Sequence, residues 1–389
     1  MPFYNDLRPE ADFATRDFVR VFPKMTTTER VRCIDGLRRL KAGLAQHVPP
    51  RETEGNLLVA SWNIVALGGG DSRDGEGLYY VAEIIGAFDL IAVQELKPNL
   101  TDLDKLMRIL GPHWSYMVND PTGGDAGNDE RSAYVFNTNR VRLSGVAGEL
   151  SLWQDYDGDW PGAMRSLKRP PYMTGFVTAW KHFAMVNLHL HPGKDRAKPA
   201  ADPPVPSDAQ VRQEEIRLLL AVLAARRDQL WSKNLILVGD TNFYRRHDEA
   251  TLDLLHAAGF WESGGLVGKT TNITVDPADG ETYDRMFFNG EEYFDIAVRD
   301  GLEQGGVFDF LDHVYRDADW PIYREAMRDI RTKAADKTKM MTDDAAAWRY
   351  FRDTYRKRQV SDHFPIWVEL SVDDSDAFLA RNRAAIAAP

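Results

Sequence analysis

Seven short apolar runs recur along the chain, and most of them close on, or open from, polar residues that a strand interior would exclude. They cover residues 57–60, 90–93, 133–136, 183–190, 235–238, 286–288 and 364–370. Each is too short for a buried helix and most are bounded by turn residues, so they predict strands. Helical patterns lie between some of them, over 79–87 and 210–225. Near the start, Thr26 and Glu29 have the spacing of a capping box, and Val31, Ile34, Leu37, Leu40 and Leu44 follow at helical intervals until Pro49-Pro50. The pattern predicts an α/β chain whose spacing is too irregular for strict βαβ alternation. Two long loops are expected, over 154–171 and over the proline-rich 192–207.

The runs meet polar residues in a definite order: Trp62-Asn63, Gln94-Glu95, His189-Leu190-His191, Gly239-Asp240-Thr241-Asn242, Tyr283-Asp284-Arg285 and Ser361-Asp362-His363. Carboxylates, carboxamides and imidazoles gathered at one rim of a sheet suit a hard cation and a phosphate, because Mg²⁺ takes oxygen ligands, few of them from protein. Taken singly, each motif has a plainer reading: Gly-Asp is an ordinary turn, and two histidines two apart are one packed and one solvated.

Composition narrows the chemistry. Lys and Arg total 48 against 59 Asp and Glu, a net charge of −11, so binding a polyanion by bulk charge is excluded and would need a local positive surface or a metal. Cys33 is the single cysteine, which excludes intrachain disulfides and multi-thiolate zinc sites. No apolar run has the length of a membrane span, and the first residues do not read as a signal peptide, so a reducing, cytoplasmic setting without stable membrane association is expected.

In this order, Trp-Asn-Ile, Val-Gln-Glu, Asn-Leu-His-Leu, Gly-Asp-x-Asn, Tyr-Asp-Arg and Ser-Asp-His-Phe-Pro resemble the endonuclease/exonuclease/phosphatase superfamily, over about 57–370. The resemblance implies a two-sheet α/β sandwich flanked by helices, of the deoxyribonuclease I type, with a metal site at one rim. It implies Mg²⁺ or Mn²⁺ held by Glu95 with Asn63 and Asp362 beside it. Asp240 and Asn242 would hold the attacking water and a phosphate oxygen. His363, fixed by Asp284, would contact the scissile phosphate or act as general base. The stretch 128–136 looks like the deoxyribonuclease I branch, in which Glu130 would pair with His189 as general acid, and it offers Arg131 and Tyr134 to the substrate. The chain departs from the family in Thr241, in a second histidine, His191, without a role, and in a long segment between Phe288 and Ser361.

That segment is read as a helical insertion, about 303–358, in a domain spanning 57–372, with a helical extension at 1–56 and a tail at 373–389. From 321 to 358 it carries eleven basic and six acidic residues. Trp348, Phe351 and Tyr355 share one helical stripe, and Arg349, Arg352 and Arg356 the next. Either the aromatics pack on the core beneath solvated arginines, or the arginines track a phosphate backbone above the metal. The reading is a metal-dependent nuclease with DNA or RNA as partner; the alternatives are a phosphatase or phosphodiesterase on a small-molecule or lipid phosphoester, and a noncatalytic relative. Oligomeric state is not legible.

Overall fold

The computed structural model describes residues 2–15, 18–68, 73–122, 129–150, 167, 169–194, 206–226, 232–291 and 293–387. The two loops expected over 154–171 and 192–207 fall for the most part outside them, as does Asn128.

Fourteen strands are described in chain order: β1 Asn56–Leu67, β2 Leu90–Leu96, β3 Trp114–Val118, β4 Arg131–Asn137, β5 Arg142–Glu149, β6 Tyr172–Thr178, β7 Lys181–His189, β8 Leu235–Asp240, β9 Trp261–Glu262, β10 Asp284–Asn289, β11 Val298–Arg299, β12 Leu302–Glu303, β13 Gly305–Val307 and β14 Ile366–Ser371. Two six-stranded mixed sheets face each other, in the orders β13-β14-β1-β2-β4-β3 and β5-β6-β7-β8-β10-β9; β11 and β12 form a separate hairpin. The unbroken apolar runs follow from cover on both sides. In β1, Leu57 and Val59 point into the core between the sheets, with Met185, Ile236 and Met286 opposite. Leu58 and Ala60 point outwards beneath helices. On the far side, Val186, Leu188 and Leu237 pack against the helix Asp208–Arg226.

The helix Thr27–His47 begins at the predicted capping box: Glu29 N–H donates to Thr26 Oγ1 at 3.2 Å, and Thr26 N–H to Glu29 Oε2 at 2.7 Å. Its buried face is rotated from the expected stripe. Leu37, Leu40 and Leu44 are buried, but Val31 and Ile34 are exposed, and Cys33, Gly36 and Gly43 take the inner positions. A Cβ at Gly36 would collide with the Tyr80 ring and one at Gly43 with His313, so the two glycines let the helix sit close.

The insertion begins later than expected, because Gly305–Val307 extends the first sheet as its edge strand. Beyond it come short helices, Arg324–Ile330, Ala334–Thr342 and Asp344–Tyr350, then a π turn at Phe351–Tyr355. Phe351 and Tyr355 are buried and stack with Tyr323 and each other, which is the packing reading of the aromatic stripe.

Candidate active site

Strand register brings the polar strand ends together. On the second sheet, His189 of β7 and Asp284 of β10 are the cross-strand partners of Asp240 at the end of β8. On the first sheet, Asn63 of β1 lies beside Gln94 of β2. Gly239 is required where it stands: its φ is +138°, and a Cβ there would lie 2.1 Å from the Leu188 carbonyl oxygen. Glu95 and Asn242 are also held at positive φ, +62° and +53°, an uncommon conformation for residues with a side chain.

Buried polar contacts tie the two sheets together below the rim. Gln94 Nε2 donates to Asn187 Oδ1 at 2.7 Å, and Asn187 Nδ2 donates to the Val93 and Ala133 carbonyls. Trp62 Nε1 donates to the His363 carbonyl at 2.8 Å, and Ser361 Oγ to the Asn63 carbonyl at 2.6 Å. Thr241 donates from both its N–H and its hydroxyl to the Tyr283 carbonyl, at 2.8 Å each, so the family departure at this position is a staple between strand ends.

Asp240 is at the centre. Its Oδ2 accepts from Asn63 Nδ2 at 3.0 Å and lies 3.7 Å from His189 Nε2 and 3.9 Å from His363 Nε2; its Oδ1 accepts from the Asn242 N–H at 2.9 Å. Burial, and then the neighbouring Asp284, push the Asp240 carboxyl up to about 7, against the opposing pull of His363, Asn63 and the Asn242 N–H. His363 Nδ1 is 2.7 Å from Asp284 Oδ2. Burial disfavours the charged ring, but Asp284 and Asp240 outweigh it and hold the His363 imidazole well above its ordinary value.

The second pair is looser. His189 Nδ1 is 3.4 Å from Glu130 Oε2, and that oxygen also accepts from Arg169 Nε at 2.8 Å; Lys97 Nζ donates to the other oxygen at 3.3 Å. Burial first, then Arg169, His363 and Lys97, hold His189 well below its ordinary value. Sequence reasoning passed over both cations. Lys97 could have been noticed two residues after Glu95; Arg169 has no local signal.

Glu95 Oε1 accepts from Asn63 Nδ2 at 3.0 Å and lies 4.0 Å from His189 Nε2. Burial, then Glu130 and Asp362, raise its carboxyl, with Asn63 opposing. Both contacts use the Asn63 amide nitrogen, and Asn63 Oδ1 is buried with no hydrogen-bond partner. An orphaned oxygen beside a half-buried carboxylate, with Asp362 close enough to bias it, fits a hard cation taking oxygen ligands.

Three expected substrate contacts are placed elsewhere. Tyr134 is fully buried between the sheets, its hydroxyl 2.8 and 2.9 Å from the Tyr172 and Met185 carbonyl oxygens, because it points inwards from a central strand. Arg352 is spent on Asp353, with Nε to Oδ1 at 2.7 Å, and buried Arg356 on Asp317, with Nη1 to Oδ1 at 2.6 Å. Arg349 is exposed, and Arg131 donates to the Asn119 carbonyl at 2.6 Å. His191 turns to Asp208, at 3.1 Å.

A profile of the Endonuclease/Exonuclease/phosphatase family matches residues 60–363, from β1 through the Ser-Asp-His motif. The chain belongs to the endonuclease/exonuclease/phosphatase family. Enzymes of this family hydrolyse phosphoesters and are in general dependent on a divalent metal. The chain is similar in fold to a solved endonuclease/exonuclease/phosphatase family protein from Bacteroides thetaiotaomicron, with 20% identity, a TM-score of 0.48, and coverage of 82% of this chain and 98% of that one. A mannosyl-6-phosphatase from Bacteroides thetaiotaomicron VPI-5482 gives 20% identity, a TM-score of 0.48 and coverage of 81% and 99%. TDP2 from C. elegans gives 13% identity, a TM-score of 0.45 and coverage of 81% and 75%. No curated protein matches the sequence. Among the described residues, no helix is long and apolar enough to cross a membrane.

Proposed function

We propose that the protein is a metal-dependent nuclease that hydrolyses phosphodiesters by in-line attack of water. The observation that carries this reading is the Asp240 carboxylate set between two imidazoles, 3.7 Å from His189 and 3.9 Å from His363. Asp240 and Asn242 hold the attacking water, and the Asp240 carboxylate takes its proton as the new P–O bond forms. His363, oriented by Asp284, binds a phosphoryl oxygen. His189, backed by Glu130, faces the leaving oxygen; the ring takes up a proton as the negatively charged phosphate binds beside it and passes that proton to the leaving oxygen. Glu95, Asn63 and Asp362 would hold Mg²⁺ or Mn²⁺, which supplies Lewis-acid neutralisation of the phosphoryl charge when bound. Arg131, beside Glu130, remains a substrate contact in this reading. Lys97 and Arg169 on the Glu130 side, and Lys357 beside Asp362, place positive charge on both flanks, which favours a substrate whose charge extends past one phosphate.

A second reading, a phosphoesterase on a small soluble molecule, is favoured by the cavity next to Phe364. Its volume is about 790 Å³, and Asp309, Asp312 and Asp317 line it together with Asn272 and Arg316. Arg356, which pairs with Asp317, lines it too, so three carboxylates face two arginines, a lining that suits a hydroxyl-rich group better than a polyanion. A panel of plasmid, linear duplex, single strands, RNA, abasic duplex and a nitrophenyl phosphodiester, assayed with Mg²⁺ or Mn²⁺, separates the two. Polynucleotide cleavage lost in His363→Ala supports the nuclease. Hydrolysis of the small diester alone replaces it with the second reading.

A further inference from the structure

Two loops at the rim beyond His363 carry aromatic and basic side chains that the chemistry above does not use. One follows Asn242 directly: Tyr244 is half-buried, and Arg245 and Arg246 are exposed. The other contains exposed Lys194. Rings lead outwards from the catalytic histidine. The Tyr283 centroid is 6.0 Å from that of His363, the Tyr244 centroid is 5.1 Å from that of Tyr283 at an interplanar angle of 68°, and Lys194 Nζ is 5.8 Å from the Tyr244 centroid.

A buried arginine holds residues 191–193, just before Lys194, beside the Tyr244 turn. Arg212, fully buried, bonds Asp248 through Nε and Nη2 at 2.9 and 2.8 Å, and donates from Nη1 to the Gly193 carbonyl at 2.9 Å and the His191 carbonyl at 3.3 Å. Asp248 in turn accepts the Tyr244 N–H at 2.8 Å, and the Arg212 guanidinium backs the Tyr244 ring at 5.2 Å. The Arg245 and Arg246 guanidiniums are unpaired among the described residues. Two carboxylates touch this strip at its backbone: Asp248, which Arg212 neutralises, and Glu281, which accepts the Arg245 N–H at 3.1 Å. A rigid aromatic step edged by cations, starting at the scissile-phosphate position, is the chemistry that takes unpaired bases and their phosphates. Paired bases keep their faces in the duplex stack and cannot use it.

We infer that the rim formed by Lys194, Tyr244, Arg246 and Tyr283 is the track for a single-stranded segment of the polynucleotide next to the cleaved bond. This rests on the nuclease reading and names the form of its substrate. The test compares the wild-type protein with a Lys194→Gln/Tyr244→Leu/Arg246→Gln variant, on a labelled single-stranded oligonucleotide of DNA or RNA and on bis(p-nitrophenyl) phosphate. On the oligonucleotide, KM should rise roughly tenfold or more. The slope of log affinity against log salt should flatten by about 0.7 for each cation removed. Turnover of the small diester should stay unchanged. A variant that matches wild type on the oligonucleotide, or one equally impaired on both substrates, overturns the track while leaving the nuclease reading in place. A wild-type protein that hydrolyses the small diester but no polynucleotide overturns both.

Discussion

Asp284 Oδ2 lies 2.7 Å from His363 Nδ1, although 79 residues separate the two in sequence. The contact fixes the ring so that Nε2 faces Asp240 and the site, and the carboxylate stabilises the ring's charged form. His363→Ala should lower kcat by about 10²–10⁴-fold. Asp284→Asn, which keeps a polar partner of the same shape but removes its charge, should cost less, with KM moving little in either variant. Initial rates over a range of substrate concentrations check this; full turnover in His363→Ala removes the histidine from the chemistry.

His189 has a test that depends on the leaving group. Its Nδ1 partner, Glu130, is shared with Arg169 and Lys97, so the pair is weaker than that of His363. If His189 protonates the leaving oxygen, His189→Ala should be severe on an alkyl phosphodiester and mild on a nitrophenyl ester, which leaves without a proton. Equal damage on the two would make His189 a neutral positioning residue.

The insertion's arginines should matter little to binding. Arg352 and Arg356 already face Asp353 and Asp317. Replacing both with glutamine should change KM on a polynucleotide less than about twofold and leave its salt dependence where it was, since paired cations release few counterions. A flattened salt slope would return the stripe to the substrate path.

The sequence carried the strand ends well because their polarity breaks the apolar runs, and register places such ends side by side. His189, Asp240 and Asp284 were legible for that reason, as were Asn63, Glu95 and His363. Partner choice was less legible. Nothing near Arg356 says that Asp317, 39 residues upstream, will neutralise it. Tyr134 was misplaced because alternation within a strand covered on both sides does not say which cover a given residue meets. Val31 and Ile34 were misplaced because glycines and a cysteine, not the larger apolar residues, set the inner face of their helix. The Tyr244-Arg245-Arg246 loop lacks periodicity altogether, and nothing local says that Arg212, through the Gly193 carbonyl, sets Lys194 beside it.

Asp74 gives the fold a pH dependence. It caps the helix Gly75–Ile85, accepting the Gly77 N–H at 2.8 Å, and Tyr355 of the insertion reaches it at 3.5 Å. Burial, then Glu76, push its carboxyl up to about 6. The folded state therefore binds this proton more tightly than the unfolded chain. Its contribution to stability is full below about pH 4 and is lost as pH rises to about 6, by up to about 3 kcal/mol. Asp74 keeps some exposed surface, so that figure is a ceiling. Asp74→Asn retains a capping side chain without the charge. Relative to wild type, it should gain stability between pH 4 and pH 7 in urea titrations; parallel stability curves would show that Asp74 ionises in the fold as it does in water.

Glu95 separates stability from turnover. Burial raises its carboxyl, and the neighbouring Glu130 and Asp362 raise it further. Glu95→Gln removes a half-buried charge that sits among other carboxylates, and keeps the shape. The introduced carboxamide can still meet Asn63, so the metal-free variant should melt at or above the wild-type temperature. Turnover should nevertheless fall by roughly a hundredfold or more, because the group that balances the cation's charge is gone. Mg²⁺ or Mn²⁺ should raise the wild-type melting temperature, by relieving repulsion among the carboxylates, and raise that of the variant less. Excess EDTA should abolish wild-type activity. Full activity in EDTA, or an equal metal-induced shift in the two proteins, would remove Glu95 from the metal site.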